Sequence, residues 1–166
     1  MIRPIVLTLL ASCAVASTFA TKHDPLVIWN ASASVPIGLY SVQPIGKLAV
    51  TDLVVARPPE ALQSWFAERR YIAGGALLIK RVAALPGQTI CRIGGTVTVD
   101  GIDMAEAQER DHAGRPLPVW SGCLPVLPGQ VFLLNWDEPS SLDGRYFATI
   151  PSENLIGHAV SLWTWE

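Results

Sequence analysis

Residues 76–84 read ALLIKRVAA, and a Leu-Pro-Gly turn follows at 85–87. The run is almost continuously apolar, which predicts a strand, and the Pro-Gly pair predicts where that strand ends. Lys80 and Arg81 interrupt the run. Because successive side chains of a strand point to opposite faces, at least one of these two cations is predicted to face inward.

A lysine in such a strand is costly to bury unless its charge is paired or removed. Residues 76–84 contain no acid that could pair with Lys80. Burial lowers a lysine pKa, and a lysine that acts as a base needs a pKa of roughly 7–8 instead of about 10.4. Lys80 is therefore a candidate general base. The alternative is a lysine on an edge strand whose ammonium reaches water.

The rest of the body predicts a mainly β fold with one short helix. Thirteen prolines and thirteen glycines divide the 166-residue chain into short segments. Residues 60–70 place Leu62, Trp65 and Phe66 on one helical face. Strands are predicted at 26–29, 48–56, 76–84, 89–93, 96–99, 131–135, 145–150 and 158–163. Such a set of short strands is typical of a barrel or coiled sheet.

The composition fits one globular or membrane-associated domain. Half of the residues are apolar and 16% are charged, which is not a disordered composition. The formal net charge is -2 and there is no basic stripe, which argues against a nucleic-acid partner. His23, His112 and His158 are far apart, and Cys91 and Cys123 lack the short paired spacing of zinc ligands. The sequence therefore predicts no histidine-based triad, no metal and no cofactor.

The N-terminal segment predicts export. Residues 4–21 carry no charge, and 18 residues of helix span about 27 Å, close to the hydrocarbon thickness of a bilayer. Three interpretations stay open: a retained membrane-spanning helix, a signal peptide cleaved after the small residues at 14–16, and a lipoprotein with Cys13 as the lipidated residue. All three place residues 22–166 outside the cytoplasm.

The two cysteines of the body form one possible pair. In an exported domain a Cys91–Cys123 disulfide is predicted, and two buried thiols are the alternative. Closing a loop of this size contributes roughly 3–4 kcal/mol in the chain-entropy model.

The second candidate segment is rich in small residues. Residues 30–40 read NASASVPIGLY, which predicts a loop that ends in a Pro-x-Gly turn. If Ser34 is a nucleophile, its own backbone N–H and the Ser32 hydroxyl can form an oxyanion site. A neutral Lys80 amine is a suitable base for it, since Ser–Lys pairs are a known variant of triad chemistry. The alternative is an ordinary surface turn.

Three motifs together resemble the type I signal peptidases. Residues 78–87, LIKRVAALPG, resemble the lysine box of that family, and residues 32–36, SASVP, resemble its serine box. Residues 141–146, SLDGRY, resemble its third box, and residues 154–157, NLIG, continue the similarity. The order of the boxes is that of the family, and the similarity spans residues 28–163.

The resemblance implies a role for each site residue and a fold. It implies a coiled β-sheet barrel like that of signal peptidase and LexA, with one short helix and an N-terminal membrane-spanning helix. It makes Ser34 the nucleophile, Lys80 the general base and Ser32 an oxyanion donor. By the same resemblance Ser141 orients the lysine, and Asp143 and Arg145 form a supporting ion pair.

One departure from the signal peptidases narrows the resemblance. Val35 alone separates Ser34 from Pro36, and the pattern Asn-x-Ser-x-Ser-x-Pro-x-Gly-x-Tyr is similar to the TraF-type conjugal-transfer peptidases. The resemblance implies a single-pass protein of the bacterial inner membrane whose catalytic domain, residues 22–166, lies in the periplasm. Its substrate would be an exported precursor, either a conjugative pilin or a type IV secretion component. Residues 1–21 would form the anchor or signal, and about 94–128 a hairpin insertion.

Three other functions compete with this one. A general signal peptidase shares all the boxes. A self-cleaving LexA-type repressor needs a DNA-binding domain, where this chain has an apolar segment instead. A non-catalytic exported β-domain, such as a lipoprotein, would make the serines and Lys80 incidental.

Overall fold

The computed structural model describes residues 24–72 and 74–165. Over those two ranges, no helix has the length and apolar character needed to cross a membrane. The predicted anchor or signal at residues 1–21, including Cys13, lies outside the described residues.

The described chain forms short strands separated by turns, with one helix of nine residues. In chain order the elements are β1 (Val27–Asn30), β2 (Ile37–Gln43), β3 (Leu53–Ala56), α1 (Glu60–Glu68), β4 (Leu78–Ala84), β5 (Thr89–Ile93), β6 (Thr96–Val99), β7 (Ile102–Glu106), β8 (Gly122–Pro125), β9 (Gln130–Leu134), α2 (Gly144–Phe147), β10 (Thr149–Pro151), a 3₁₀ turn (Ser152–Asn154) and β11 (Leu155–Trp165).

The strands build two antiparallel sheets. The larger sheet has the order β1-β2-β11-β3-β4-β9-β10, and the smaller one has the order β7-β6-β5-β8. The mainly β prediction is confirmed, but the predicted barrel is not closed. Among the described strands, β1 and β10 each pair on one side only, and with four and three residues they offer few ladder hydrogen bonds to a further partner.

Strand β4 lies at the centre of the apolar packing. It pairs with β3 on one side and β9 on the other. Val82 packs into one cluster of buried side chains, Ile79 into a second, and Ala83 and Ala84 into a third that reaches the smaller sheet. The strand that carries Lys80 is therefore held by three separate packing contacts, which restricts its movement.

Local signals predict some elements correctly. Helix α1 follows Pro59, as a proline before a first helical turn allows, and its buried Phe66 stacks edge-on with Phe147. The β5–β6 hairpin turns at Gly94 and Gly95. The predicted disulfide is present, since Cys91 and Cys123 face each other on β5 and β8 and are bonded.

Three of the predicted segments are wrong in part. The strand predicted over residues 48–56 begins only at Leu53, because residues 50–51 form a turn that a backbone hydrogen bond closes. The predicted loop over residues 30–40 ends early, because β2 begins at Ile37, where β11 pairs with it, and β1 joins from Gly38 onward. The strand predicted over residues 145–150 is replaced at its start by helix α2, which Asp143 caps by accepting a hydrogen bond from the backbone N–H of Arg145. In all three cases hydrogen bonds that the local pattern does not show decide the conformation.

Candidate active site

The loop between β1 and β2 is folded around one buried amide. The Asn30 side chain donates to the carbonyl oxygens of Ser32, Val35 and Pro36 at 2.8, 3.0 and 3.1 Å. Its Oδ1 accepts from the backbone N–H and the hydroxyl of Ser32 at 3.2 and 3.0 Å. A single side chain therefore ties together both ends of the loop that presents Ser34.

Ser34 is half-buried and faces its neighbour in the loop. Its Oγ lies 3.1 Å from the Ser32 Oγ, within hydrogen-bonding distance. The glycine of the Pro-x-Gly turn has a packing role, because a Cβ at Gly38 would clash with the carbonyl oxygen of Trp163 on β11. The loop can therefore join the sheet at this point only with a glycine.

Lys80 is buried on β4. The residue is only 4% exposed, and its Nζ donates to the Ser141 Oγ at 2.7 Å. Burial lowers the pKa of Lys80 to about 8, and nearby Asp143 opposes that change while Arg145 adds to it. About a tenth of this amine is therefore neutral at pH 7, far more than for a lysine in water.

Asp143 and Arg145 form a buried ion pair at the start of α2. The Arg145 Nε lies 2.9 Å from the Asp143 Oδ1, and the arginine and aspartate side chains are 1% and 0% exposed. Both also bind the backbone of Asn135: the Asp143 Oδ2 accepts from its N–H at 3.0 Å, and the Arg145 Nη2 donates to its carbonyl oxygen at 2.8 Å. The pair therefore holds the end of β9 as well as α2.

Asn135 is a residue that the sequence reasoning missed. Its side chain accepts from the backbone N–H of Arg81 at 3.1 Å and donates to the carbonyl oxygen of Ile79 at 3.2 Å. These are the two neighbours of Lys80, so one buried amide binds the backbone on both sides of the lysine. It continues the β-ladder where β9 ends. A polar residue directly after the apolar run VFLL was the only signal in the sequence.

Ser34 and Lys80 line one cleft of about 500 Å³, which we call the lysine cleft. Among the described residues, no hydrogen bond joins the two, and each pairs with a serine instead: Ser32 for Ser34 and Ser141 for Lys80. Hydrogen bonds between catalytic groups are often long before substrate binds. The further lining residues are mostly apolar and include Trp29, Phe66, Tyr71, Ile72, Leu77, Leu78, Ile79 and Leu142.

Comparison with known proteins identifies the family. Residues 1–165 match the family described as "Signal peptidase, peptidase S26". The chain belongs to this family. The resemblance drawn from the three boxes is thereby confirmed.

Named relatives of this S26 chain fall into two groups. It is 34% identical over 149 residues to "Conjugal transfer protein TraF" of Agrobacterium fabrum and 32% identical over 148 residues to "Plasmid transfer protein TraF" of Escherichia coli, covering 82% of each chain in both cases. It is 37% identical over 111 residues to "Probable signal peptidase I-1" of Synechocystis, which covers 67% of this chain and 52% of that protein. Compared with this chain, a crystal structure of a signal peptidase I from Enterococcus faecalis gives a TM-score of 0.41 at 22% sequence identity. The match covers 69% of this chain and 97% of the other.

The remaining predicted site residues lie apart from the cleft. Cys91 and Cys123 are in the smaller sheet, where their disulfide joins β5 to β8. Within residues 24–72 and 74–165, no cluster of three or more histidine, cysteine or acidic side chains has the arrangement of a metal site.

Proposed function

We propose that the chain is a serine endopeptidase in which Ser34 is the nucleophile and Lys80 the general base. The observation that carries the proposal is a buried amine, with a pKa lowered to about 8, that lines the same cleft as an accessible hydroxyl. A serine hydroxyl needs a base to remove its proton, and a neutral amine can be that base. Membership of the S26 family supports the same chemistry.

The proposed mechanism has two stages. Neutral Lys80 accepts the hydroxyl proton of Ser34, whose Oγ bonds to the carbonyl carbon of the scissile peptide. The Ser32 hydroxyl and backbone N–H groups stabilise the oxyanion. Lys80 then gives its proton to the nitrogen as the C–N bond breaks, and the amine leaves. A water molecule, deprotonated by Lys80, then bonds to the ester carbon. As the bond from that carbon to the Ser34 Oγ breaks, Lys80 returns the proton to Oγ and the acid product leaves.

The other site residues act on Lys80 in this proposal. Ser141 accepts its hydrogen bond and fixes the direction of the amine. The buried Asp143–Arg145 pair holds the segment that carries Ser141 against the end of β9. These three are positioning residues, since a direct role would require contact with the substrate.

The proposed substrate is an exported precursor of a conjugation or type IV secretion apparatus, such as a pilin. Relatives of nearly the same length that are named for conjugal and plasmid transfer support this choice. General removal of signal peptides is the second candidate, because a probable signal peptidase I is 37% identical over two thirds of the chain. Incubation with a conjugative pilin precursor and with an ordinary secretory precursor, at matched concentrations, separates the two.

The location follows from the same proposal. Residues 1–21 would anchor the chain in the bacterial inner membrane, and residues 22–166 would form the periplasmic peptidase domain, with 94–128 as an insertion. Trp29, Trp163 and Trp165 support this, because they form an exposed cluster with ring centroids 4.8–6.5 Å apart, and Trp29 also lines the lysine cleft. Tryptophan favours the interface between membrane and water.

Two alanine variants test the proposed function. Ser34→Ala and Lys80→Ala are each expected to abolish processing of a precursor while the circular dichroism spectrum and thermal transition show a folded chain. Ser64→Ala and Lys47→Ala are matched controls, since both residues are exposed. Wild-type activity in either site variant would overturn the assignment of that residue.

A further inference from the structure

Ser34 lies where two clefts meet. The lysine cleft and a second cleft of about 450 Å³ share Ala33 and Ser34 in their walls. We call the second one the charged cleft. Its lining residues are Ala33, Ser34, Val35, Pro36, Ile37, Arg81, Asn135, Asp137 and Glu138.

The two clefts differ in chemistry. The wall of the lysine cleft is mostly apolar, with Phe66 and Leu78 among its members. The charged cleft contains a guanidinium and two carboxylates, from Arg81, Asp137 and Glu138. Its three charged groups leave a single net negative charge.

The carboxylates of the charged cleft are ionised and are not paired with Arg81, so they can bind a cation of the substrate. Glu138 accepts from the backbone N–H and the hydroxyl of Ser140 at 2.9 and 2.6 Å, and these bonds lower the pKa of its carboxyl and keep it ionised. The Arg81 guanidinium lies over the Trp136 ring, 5.6 Å from its centroid. In the part of the chain that the structure describes, neither carboxylate is within salt-bridge distance of Arg81.

A peptide that reacts at Ser34 has to extend in both directions from it. Export signals place an apolar run and then small residues before the cleavage site. That side of the substrate suits the apolar wall of the lysine cleft. The residues that follow the scissile bond then extend towards the charged cleft.

We propose that the charged cleft binds the segment that follows the scissile bond and selects precursors with a basic side chain there. The inference rests on the proposed function and adds a substrate class to it. The two carboxylates attract a lysine or arginine of the substrate, and Arg81 offsets one of their two charges. After cleavage the new amino terminus, an ammonium, is released beside the same carboxylates.

Three peptides of one sequence test the inference, with alanine before the scissile bond and lysine, glutamine or glutamate at the second position after it. The wild-type chain is expected to cleave the lysine peptide about fivefold faster than the glutamate peptide, the size of an exposed ion pair. Asp137→Lys is expected to reverse that order. Asp103→Lys, an exposed acid on β7 of the smaller sheet, is the matched control and is expected to keep it.

Binding is measured in parallel, so that the inference can be judged even without cleavage. The Ser34→Ala chain is titrated with the same fluorescently labelled peptides, and the same order of affinities is expected. The preference should also shrink in high salt, because ions screen exposed charges.

The outcomes separate the inference from the proposed function. Cleavage that depends on Ser34 but shows equal rates for all three peptides would overturn the inference and leave the peptidase standing. A preference that Asp137→Lys and Asp103→Lys change equally would also overturn it. If no peptide is cleaved but the charge preference in binding is present, the proposed function fails and the charged cleft stands as a peptide site.

Discussion

The loop that carries Ser34 and the strand that carries Lys80 are stabilised in opposite ways. The loop is held by Asn30, whose partners lie within six positions along the chain. Lys80 and its neighbours are held by Ser141 and Asn135, which are 54–61 positions away. Ser34 is half-buried and follows three exposed residues, whereas Lys80 is nearly inaccessible.

The difference fits the roles that we propose for the two groups. A nucleophile must meet the substrate, so its loop must reach the surface and still be ordered, and short-range hydrogen bonds achieve this. A lysine base must lose its proton near neutral pH, so it needs a dry environment that only tertiary packing provides. Changes to the buried groups that support Lys80 are therefore expected to lower the free energy of unfolding more than changes to the exposed groups of the Ser34 loop.

The largest expected effect is on catalysis by Lys80→Arg. Arginine keeps the charge but stays protonated, so it cannot accept the proton of Ser34. We expect cleavage to fall by about 10³-fold, within the range that general base catalysis contributes. Precursor cleavage under single-turnover conditions measures this. Lys47→Arg, at an exposed position, is the control, and a Lys80→Arg enzyme within tenfold of wild type would contradict the assignment.

The next effect is on stability, through the buried ion pair. Asp143→Asn removes one charge and leaves Arg145 buried without its counter-ion, which is expected to cost about 3 kcal/mol. The surface pair of Asp24 and Arg57 is the matched control, because both side chains are about half exposed and Asp24→Asn should cost less than about 1 kcal/mol. Urea unfolding measures both variants. Equal losses would mean that burial does not distinguish the two pairs.

The contrast between short-range and long-range contacts also decides what could be predicted from the sequence. Helix α1, the β5–β6 hairpin and the disulfide pair follow from local spacing and cysteine count. The open sheet and the position of β2 do not, because they depend on which strands pair across the chain. The hydrogen bonds of Asn135 to the backbone on both sides of Lys80 could not be predicted either, since they join residues more than 50 positions apart. The assignments of Ser34 and Lys80 came from resemblance, and the sequence alone left a surface turn and an exposed lysine as alternatives.

A smaller effect concerns the pH dependence of the reaction. Only neutral Lys80 can act as the base, so the rate should rise about tenfold per pH unit below its pKa of about 8 and level off above it. Asn135→Asp puts a carboxylate against the backbone on either side of Lys80, which favours the ammonium and raises the lysine pKa. We expect the rate profile to shift to higher pH by about one unit. A profile of kcat/KM between pH 6 and 10 measures this, and a mere loss of folded protein would lower the rate without moving the midpoint.

The smallest expected effect is the change in stability of Ser32→Ala. The Ser32 hydroxyl is exposed, so water can replace it at the Asn30 Oδ1, which also keeps the backbone N–H of Ser32. We expect the free energy of unfolding to change by less than about 0.5 kcal/mol. Asn30→Ala is the contrasting variant, because it removes the buried partner of three carbonyl oxygens and should cost at least about 1 kcal/mol. If Ser32→Ala cost as much as Asn30→Ala in urea unfolding, the hydroxyl would be a structural element of the loop, and a loss of activity in that variant could no longer support a role at the oxyanion.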